Sequence, residues 1–564
     1  MRHGRWQYPM ATLLFIIAYS VSTITVSGWR YNPTNRVGIW GTNHNRNYCD
    51  KQKSPRSDIL SLLCSKSRGG CSDQDEKQAY DVQPIPCIEV PPIWAGKKKK
   101  ALVLMDVFSE YHGMYLAHMA KTAYGVATIN VFSDYFKGYF QMQQRSTSRN
   151  KDEEDIANFQ QTMSMCMPTL TSPAAVNDWC QPLLQDFELV AISCESDSGL
   201  ADAERLGIAL NVTKQNSLVI NDARRNKYLM MEAVKKAGIP VVQQRLCATL
   251  DDAMEFCQQT LGLTTDDKDD QLVVVKPIRG VASDDVHLCP TLDSVREAFS
   301  KIQGSTVFGS PNQIHDKVLV QEFAVGQEFA IDIVSKSGQH KVAAIWIYDK
   351  RPVNNAPFVY YSTKLYDGEL STQIVEHAKQ CLDALKIEWG MTHTEIIITE
   401  NGPRLVEVNC RQHNMDFLPL TMGGIGYNAF DMLLAAYLGS DDDDDEKYPS
   451  ETASQRLDWN TLPDIPSTPH RMAAAMVHLV NSAPTGSLSS VNENALMEIQ
   501  SMNSVLDLEV YGSFLEIGTV ITPTIDIRSD AGWVQLVNPD PDALERDYVR
   551  IVELMPTLFQ VEEE

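Results

Sequence analysis

Short apolar runs, each closed by a loop of small or polar residues, recur along the chain from residue 101 onward. Residues 101–108 (ALVLMDVF), 126–132 and 187–194 (FELVAISC) alternate with helical patterns at 112–124 and 199–206. Continuous apolar strands separated by helices predict a parallel α/β sheet. Glu195 and Ser196 follow the last of these strands, at the carboxyl end where such sheets place ligands; a plain surface loop fits them equally. The intervening stretch 141–178 is polar and weakly patterned and reads as an insertion. Residues 221–238 carry helical spacing at Tyr228, Met231, Val234 and Lys235, with Asn221 or Asp222 as cap and Gly238 as stop. Further strands are expected at 272–276, 286–288, 317–323, 329–334 and 340–349, with a loop beginning at Lys350. A helix at 428–438 follows the glycine run 423–426, which can surround a substrate carboxylate or simply turn. Beyond Arg471 the pattern gives short strands, among them 473–480 and 509–517, and a closing helix at 541–553.

The most informative alternation lies at 390–411, GMTHTEIIITENGPRLVEVNCR. Two β-branched runs, 392–398 and 405–410, flank Glu400-Asn401-Gly402-Pro403, a hairpin connection. A loop of three or five residues centred on Asn401 pairs position 395 with 407. Ile396, Ile398, Val406 and Val408 then share one face, and Glu395, Glu407 and Asn409 the other. Two carboxylates and an amide oxygen on one side of a ribbon form a hard-oxygen set suited to Mg²⁺ or Mn²⁺. Arg411, next on that face, offers a planar fork to a phosphate or carboxylate. The spacing alone equally describes an exposed hairpin with an acidic outer face.

The glutamate pair with Glu-x-Asn-x-Arg resembles the metal hairpin of the ATP-grasp superfamily. Gly-x-x-His-x-Glu at 390–395 is similar to its amino-acid and dipeptide (carboxylate–amine) ligase branch. The resemblance runs over roughly residues 100–440 and implies an α/β (α+β) ATP-grasp fold. A Rossmann-like pre-ATP-grasp domain would precede it, and a small β-rich C-terminal lobe would close it. It implies ATP and Mg²⁺ as cofactors, Glu395, Glu407 and Asn409 as metal ligands, and Arg411 at an acyl-phosphate. Other segments match in order. Lys227 stands where the family's helix sends a lysine to the nucleotide phosphates; alone it would be a surface lysine. Lys276 closes an apolar strand, where an unpaired ammonium is costly. The loop after it, with Gly280 and Ser283, resembles the phosphate loop. Gln321, Glu322, Phe323 and Ala324 match the adenine contact, and Glu328 the ribose ligand. Lys350, Arg351 and Lys364 can neutralise a carboxylate or phosphate in the closed site or serve surface solubility.

Composition narrows the partners. The 564 residues carry a net charge of −24, which argues against nucleic acid as a main partner. Twelve cysteines include no CxxC pair, so a structural zinc site is not expected; Cys194 and Cys410 read as small buried hydrophobes. Residues 1–27 combine a basic start with an apolar run, as in a signal peptide or signal anchor. Residues 28–98 are basic and acid-poor at first, resembling the transit part of a bipartite presequence of algae with complex plastids; a disordered linker is the plain alternative. Entry into the secretory pathway is expected, with a plastid destination or membrane anchoring as its two continuations. The six-acid block 441–446 marks a linker from 441 to 469.

The boundaries are therefore 99–220 for the pre-ATP-grasp domain, 221–440 for the ATP-grasp domain and 470–564 for the C-terminal lobe. The expected activity is ATP-dependent joining of a carboxylate to an amine, on small molecules such as amino acids. A biotin-carboxylase-like enzyme and a non-catalytic nucleotide-binding protein are the rivals, and a homodimer is one assembly this reading allows.

Overall fold

The computed structural model describes residues 98–107, 113–136, 163–263 apart from 169 and 171, 271–280, 285–307, 310–413, 417–439 and 456–562. The leader, Ser283 and the acidic block 441–446 lie outside these residues.

The N-terminal domain is built on β1 (Lys99–Met105), α1 (Met114–Thr122), β2 (Ala127–Phe132), β3 (Met163–Cys166), α2 (Pro173–Asp186), β4 (Phe187–Cys194) and α3 (Leu200–Ala209). Its sheet has the order β3-β2-β1-β4 and is parallel throughout. Leu102 and Leu104 pack toward α1 on one face, Ala101, Val103 and Met105 toward α2 and α3 on the other. Burial on both faces is why these strands read as unbroken apolar runs. The presumed insertion at 141–178 is a correction: it contains β3 and the first turns of α2, whose N-cap is Ser172.

The predicted helix at 221–238 is shorter. A 3₁₀ segment, Leu218–Arg224, with a non-helical residue at Ile220, precedes α4 (Lys227–Lys236). Its cap is Asn226, whose side-chain oxygen accepts from the Tyr228 and Leu229 N–H groups, and not Asn221 or Asp222. Lys227 is thereby the first helical residue, and its backbone N–H donates to the Ile278 carbonyl, tying α4 to the segment that follows Lys276. A small antiparallel sheet follows, β5-β10-β6-β7, from β5 (Gln244–Cys247), β6 (Val273–Lys276), β7 (His287–Cys289) and β10 (Val318–Glu322). It is backed by α5 (Leu250–Gln259) and α6 (Leu292–Ile302), with the short pair β8 (Thr306–Val307) and β9 (Ser310–Ile314) alongside.

Among the described residues the central sheet has eight strands in the order β15-β14-β11-β12-β13-β16-β18-β17. They are β11 (Gln327–Lys336), β12 (Gln339–Val353), β13 (Ala356–Leu365), β14 (Gly390–Thr399), β15 (Gly402–Asn409), β16 (Ala473–His478), β17 (Val505–Val510) and β18 (Gly532–Asn538). Lys350 opens no loop, because β12 continues through it to Val353. In the C-terminal lobe β16 pairs with β13 and brings two later strands into the central sheet, while three short strands form a sheet of their own. The expected strand at 509–517 ends at Val510 and passes into a 3₁₀ turn, Gly512–Phe514. Helices α7 (Ser371–Ala384), α8 (Leu418–Gly424) and α9 (Ala429–Leu438) cover the sheet. Gly423 and Gly424 close α8, so the glycine run ends a helix. No helix among the described residues is long and apolar enough to cross a membrane.

Alternation along the central strands separates its two faces. Phe329, Ile331, Ile333, Ile345, Ile347 and Ile396 enter one core with α4 and α7. Glu328, Asp332, Trp346, Tyr348, His393 and Glu395 occupy the alternate positions, and all the chemistry of the sheet lies on that side.

Candidate active site

The hairpin β14–β15 pairs Glu395 with Glu407 and His393 with Asn409, as its sequence predicts. The route differs from the expectation. The strands close on a two-residue turn between Thr399 and Gly402, and the register shifts by one between Glu395 and Ile396. A bulge on β15 restores the 395–407 pairing and re-aims one side chain. Leu405 takes the core position beside Ile396, whereas Val406 joins the cleft, which corrects its expected place with Ile396, Ile398 and Val408.

Between the small sheet and the central sheet lies an open cleft. Lys227, Lys276, Gly280, Gln321, Glu322, Phe323, Ala324, Glu328, Glu395 and Glu407 all line it, as does Lys350. Ser283 lies outside the described residues. Gly326 carries the chain from the 321–324 segment to Glu328; a Cβ there would stand 2.1 Å from the Ile398 carbonyl oxygen, so only glycine lets this loop cross β14.

The charges are interlocked. The Lys227 ammonium pairs with Glu407 Oε2, and Asn409 Nδ2 donates to Glu407 Oε1 at 3.0 Å. Burial would raise the Glu407 carboxyl, but Lys227 outweighs it and holds the group ionised. Lys276 is 7 % exposed, and burial with the neighbouring Lys227 pushes its ammonium down to about 8. Lys350 Nζ donates to Glu328 Oε1 at 2.7 Å and lies over the Tyr348 and Tyr360 rings, at 4.6 and 4.4 Å. Burial raises the Glu328 carboxyl despite that lysine, with Glu395 and Glu407 adding to the effect. Arg351 and Lys364 are not in the cleft: Arg351 forks onto Asp349 and reaches Tyr548, and Lys364 pairs with Glu545 at 2.6 Å.

Arg411 is buried, and its Nε and terminal N–H donate to Asp197 Oδ2 at 2.9 and 2.8 Å. Arg225 reaches Asp197 Oδ1 at 3.3 Å. Two guanidinium groups, both from the 221–440 unit, thus hold one carboxylate of the loop after β4. Burial would raise Asp197, and Arg411 and Arg225 together bring it below the ordinary range. Two residues earlier, neither carboxyl oxygen of Glu195 has a hydrogen-bond partner, although both are buried. Burial lifts that carboxyl to about 8, only partly opposed by Arg411. The sequence singled out Glu195 and missed Asp197 and Arg225; an acid just past a strand end and an arginine beside the candidate lysine were the available signals.

A second cluster, Asp332, His393 and His413, brings three ligand-type atoms within 4.8 Å of one another. The imidazoles stack, with centroids 3.8 Å apart and planes 29° apart. In-plane lone pairs of stacked rings run side by side and do not converge on one ion, so this group reads as a hydrogen-bonded network. The hairpin set is the better fit to Mg²⁺. Glu395, Glu407 and Asn409 are hard oxygen donors on one face, and the Lys227 ammonium already places a cation against Glu407.

Comparison with known proteins agrees with this geometry. Residues 270–415 match the model of the ATP-grasp domain. The chain is 30% identical over 231 residues to dapdiamide A synthase of Enterobacter agglomerans, covering 40% of this chain and 52% of that protein. It is 27% identical over 231 residues to an uncharacterized protein of Sinorhizobium fredii (strain NBRC 101917 / NGR234), covering 40% of this chain and 44% of that one. The chain thus spans about half the length of the curated relatives it matches. Among solved structures, an L-amino acid ligase from Bacillus licheniformis superposes with a TM-score of 0.57 at 16% identity, covering 83% of this chain and 100% of that one. A carboxyaminoimidazole ribonucleotide synthase from Aspergillus clavatus, complexed with ATP, gives 0.52 at 14% identity, covering 81% and 98%. The fold is the ATP-grasp fold.

Proposed function

We propose that this chain is an ATP-dependent carboxylate–amine ligase acting on amino acids. The observation that carries the reading is the continuity of the cleft's chemistry. The cleft gathers Lys227, Lys276, Glu395 and Glu407, and Asn409 and Arg411 follow Glu407 along the chain, where Arg411 shares Asp197 with Arg225 near Glu195. That succession supports nucleotide, carboxylate and amine sites set side by side.

Residues 321–324 and Glu328 bind the nucleoside, and Lys227 and Lys276 hold its phosphates. Glu395, Glu407 and Asn409 would hold a divalent cation, which would supply charge neutralisation to the bound nucleotide. Arg411 orients the substrate carboxylate so that its oxygen attacks the γ-phosphorus in line and ADP departs. The resulting acyl-phosphate is a competent acyl donor, which a carboxylate is not. An amine then attacks the carbonyl carbon, phosphate leaves, and an amide forms. Lys276 must be protonated to hold phosphate, and an arriving polyanion favours that form. Glu195, buried and uncommitted, is placed to accept a substrate ammonium. The names of two similar proteins, a dapdiamide synthase and an L-amino acid ligase, agree with amide formation on amino acids.

Paired amino acids, screened for ADP release, test the reading. We expect release that depends on both partners. Release driven by bicarbonate alone, with no amino-acid dependence, contradicts it.

A further inference from the structure

On the same face of the central sheet, beside the cleft, lies a connected set of buried polar groups that the reaction does not use. Asp332 on β11 stands directly across from His393 on β14. His393 Nδ1 lies 3.3 Å from Asp332 Oδ1, and His393 Nε2 lies 3.2 Å from Glu395 Oε1. The other oxygen of Asp332 accepts from Trp346 Nε1 at 2.7 Å. His413 brings Nδ1 to 3.5 Å from Asp332 Oδ1, and its Nε2 lies 3.1 Å from the Tyr348 hydroxyl. That hydroxyl is also 3.4 Å from Glu395 Oε1.

Tyr348 O–H donates to Glu395 Oε1, and His413 Nε2 faces the oxygen of the same hydroxyl. His393 Nδ1–H and Trp346 Nε1–H are directed at the two oxygens of Asp332, and His393 Nε2–H at Glu395 Oε1. Glu395 Oε1 is therefore held, while Glu395 Oε2 has no hydrogen bond among the described residues. One carboxylate oxygen is fixed in the protein and the other is presented to the cleft that Glu395 lines.

We propose that Asp332, acting through His393, is the positioning residue that fixes the rotamer of Glu395 for divalent-cation binding. This rests on the assignment of Glu395 as a metal ligand. Hydrogen-bonded groups behind metal-binding side chains set ligand orientation, and their loss lowers metal affinity by about 10- to 100-fold. A carboxylate on a flexible side chain would otherwise sample rotamers, and each binding event would have to order it. His393 spans the distance that a direct Asp332–Glu395 contact could not, because two carboxylates in contact repel.

The test measures binding without turnover. Mn²⁺ affinity is read by electron paramagnetic resonance in the presence of a non-hydrolysable ATP analogue, and analogue affinity is read separately without metal. Asp332→Asn should weaken Mn²⁺ at least about 10-fold and leave metal-free analogue binding unchanged. Unchanged Mn²⁺ affinity in Asp332→Asn, with weakened affinity in Glu407→Gln, overturns the proposal and leaves the metal site standing. If neither variant weakens Mn²⁺, the assignment of the hairpin as the metal site fails, and the proposal with it. Should Asp332→Asn not fold by circular dichroism, His393→Gln replaces it. That variant breaks the link from Asp332 to Glu395 and is judged by the same two outcomes.

Discussion

Replacing Glu195 by glutamine should stabilise the protein and damage its activity. The Glu195 carboxyl has two buried, unpartnered oxygens, and burial moves it from 4.5 to about 8. A carboxyl whose folded value exceeds its unfolded one supports the fold fully below about pH 4.5. That support is withdrawn as pH rises and is gone above about pH 8. At about 1.4 kcal/mol per unit, the full cost of keeping this group in the fold reaches ~5 kcal/mol at alkaline pH. Glutamine does not ionise, but its buried amide is left without a partner at a cost of ~1–3 kcal/mol. The net gain at about pH 8.5 is therefore ~2–4 kcal/mol, and at about pH 5.5 it is near zero or negative. Thermal unfolding of both proteins at these two pH values, without nucleotide, reads the effect as a pH-dependent difference in Tm. Amino-acid-dependent ADP release should fall in the same variant, since the carboxylate kept uncommitted at this cost is the one placed for a substrate ammonium. An advantage for the variant that is equal at both pH values, or smaller at the higher one, refutes the reasoning.

Glu407→Gln removes one charge from the oxygen set and from the partner of Lys227; turnover should drop by a factor that corresponds to ~2.7–4 kcal/mol, with the fold retained by circular dichroism. Near-normal activity would remove Glu407 from the site. Arg411→Lys keeps the charge but cannot fork onto a carboxylate, so steady-state kinetics should show kcat for amide formation falling more than ATP affinity weakens. An equal loss in both would assign Arg411 to nucleotide binding alone.

The hairpin's pairing is legible because alternation in a strand translates directly into a face, whereas its metal role is not in the spacing and rests on the family resemblance. Its 395–407 pairing came out as expected because two differences cancel: a shorter turn, and a bulge at Val406 that no local signal announces. The start of α4 was misplaced because Asn221, Asp222 and Asn226 are all competent caps, and only the tie from Lys227 to Ile278 selects the last. Lys-Arg-Pro has no apolar period and reads as a loop, whereas Lys350 pairs with Tyr360 of β13 just past a register shift that the sequence does not announce. Asp332 carried a usable signal, a lone acid in the apolar run 329–334, which must find partners if buried. Those partners, Trp346, His393 and His413, lie on three other segments and are joined only by tertiary packing. The same holds for Asp197, whose two arginines come from residues 225 and 411.

The central claim is that the cleft activates a carboxylate by phosphorylation, and hydroxylamine trapping tests it most directly. With ATP, Mg²⁺ and a single amino acid, hydroxylamine should intercept the acyl-phosphate as a hydroxamate, in an amount matching the ADP formed, and Arg411→Lys should reduce that yield. ADP formation with bicarbonate but no hydroxamate with any amino acid would contradict the account.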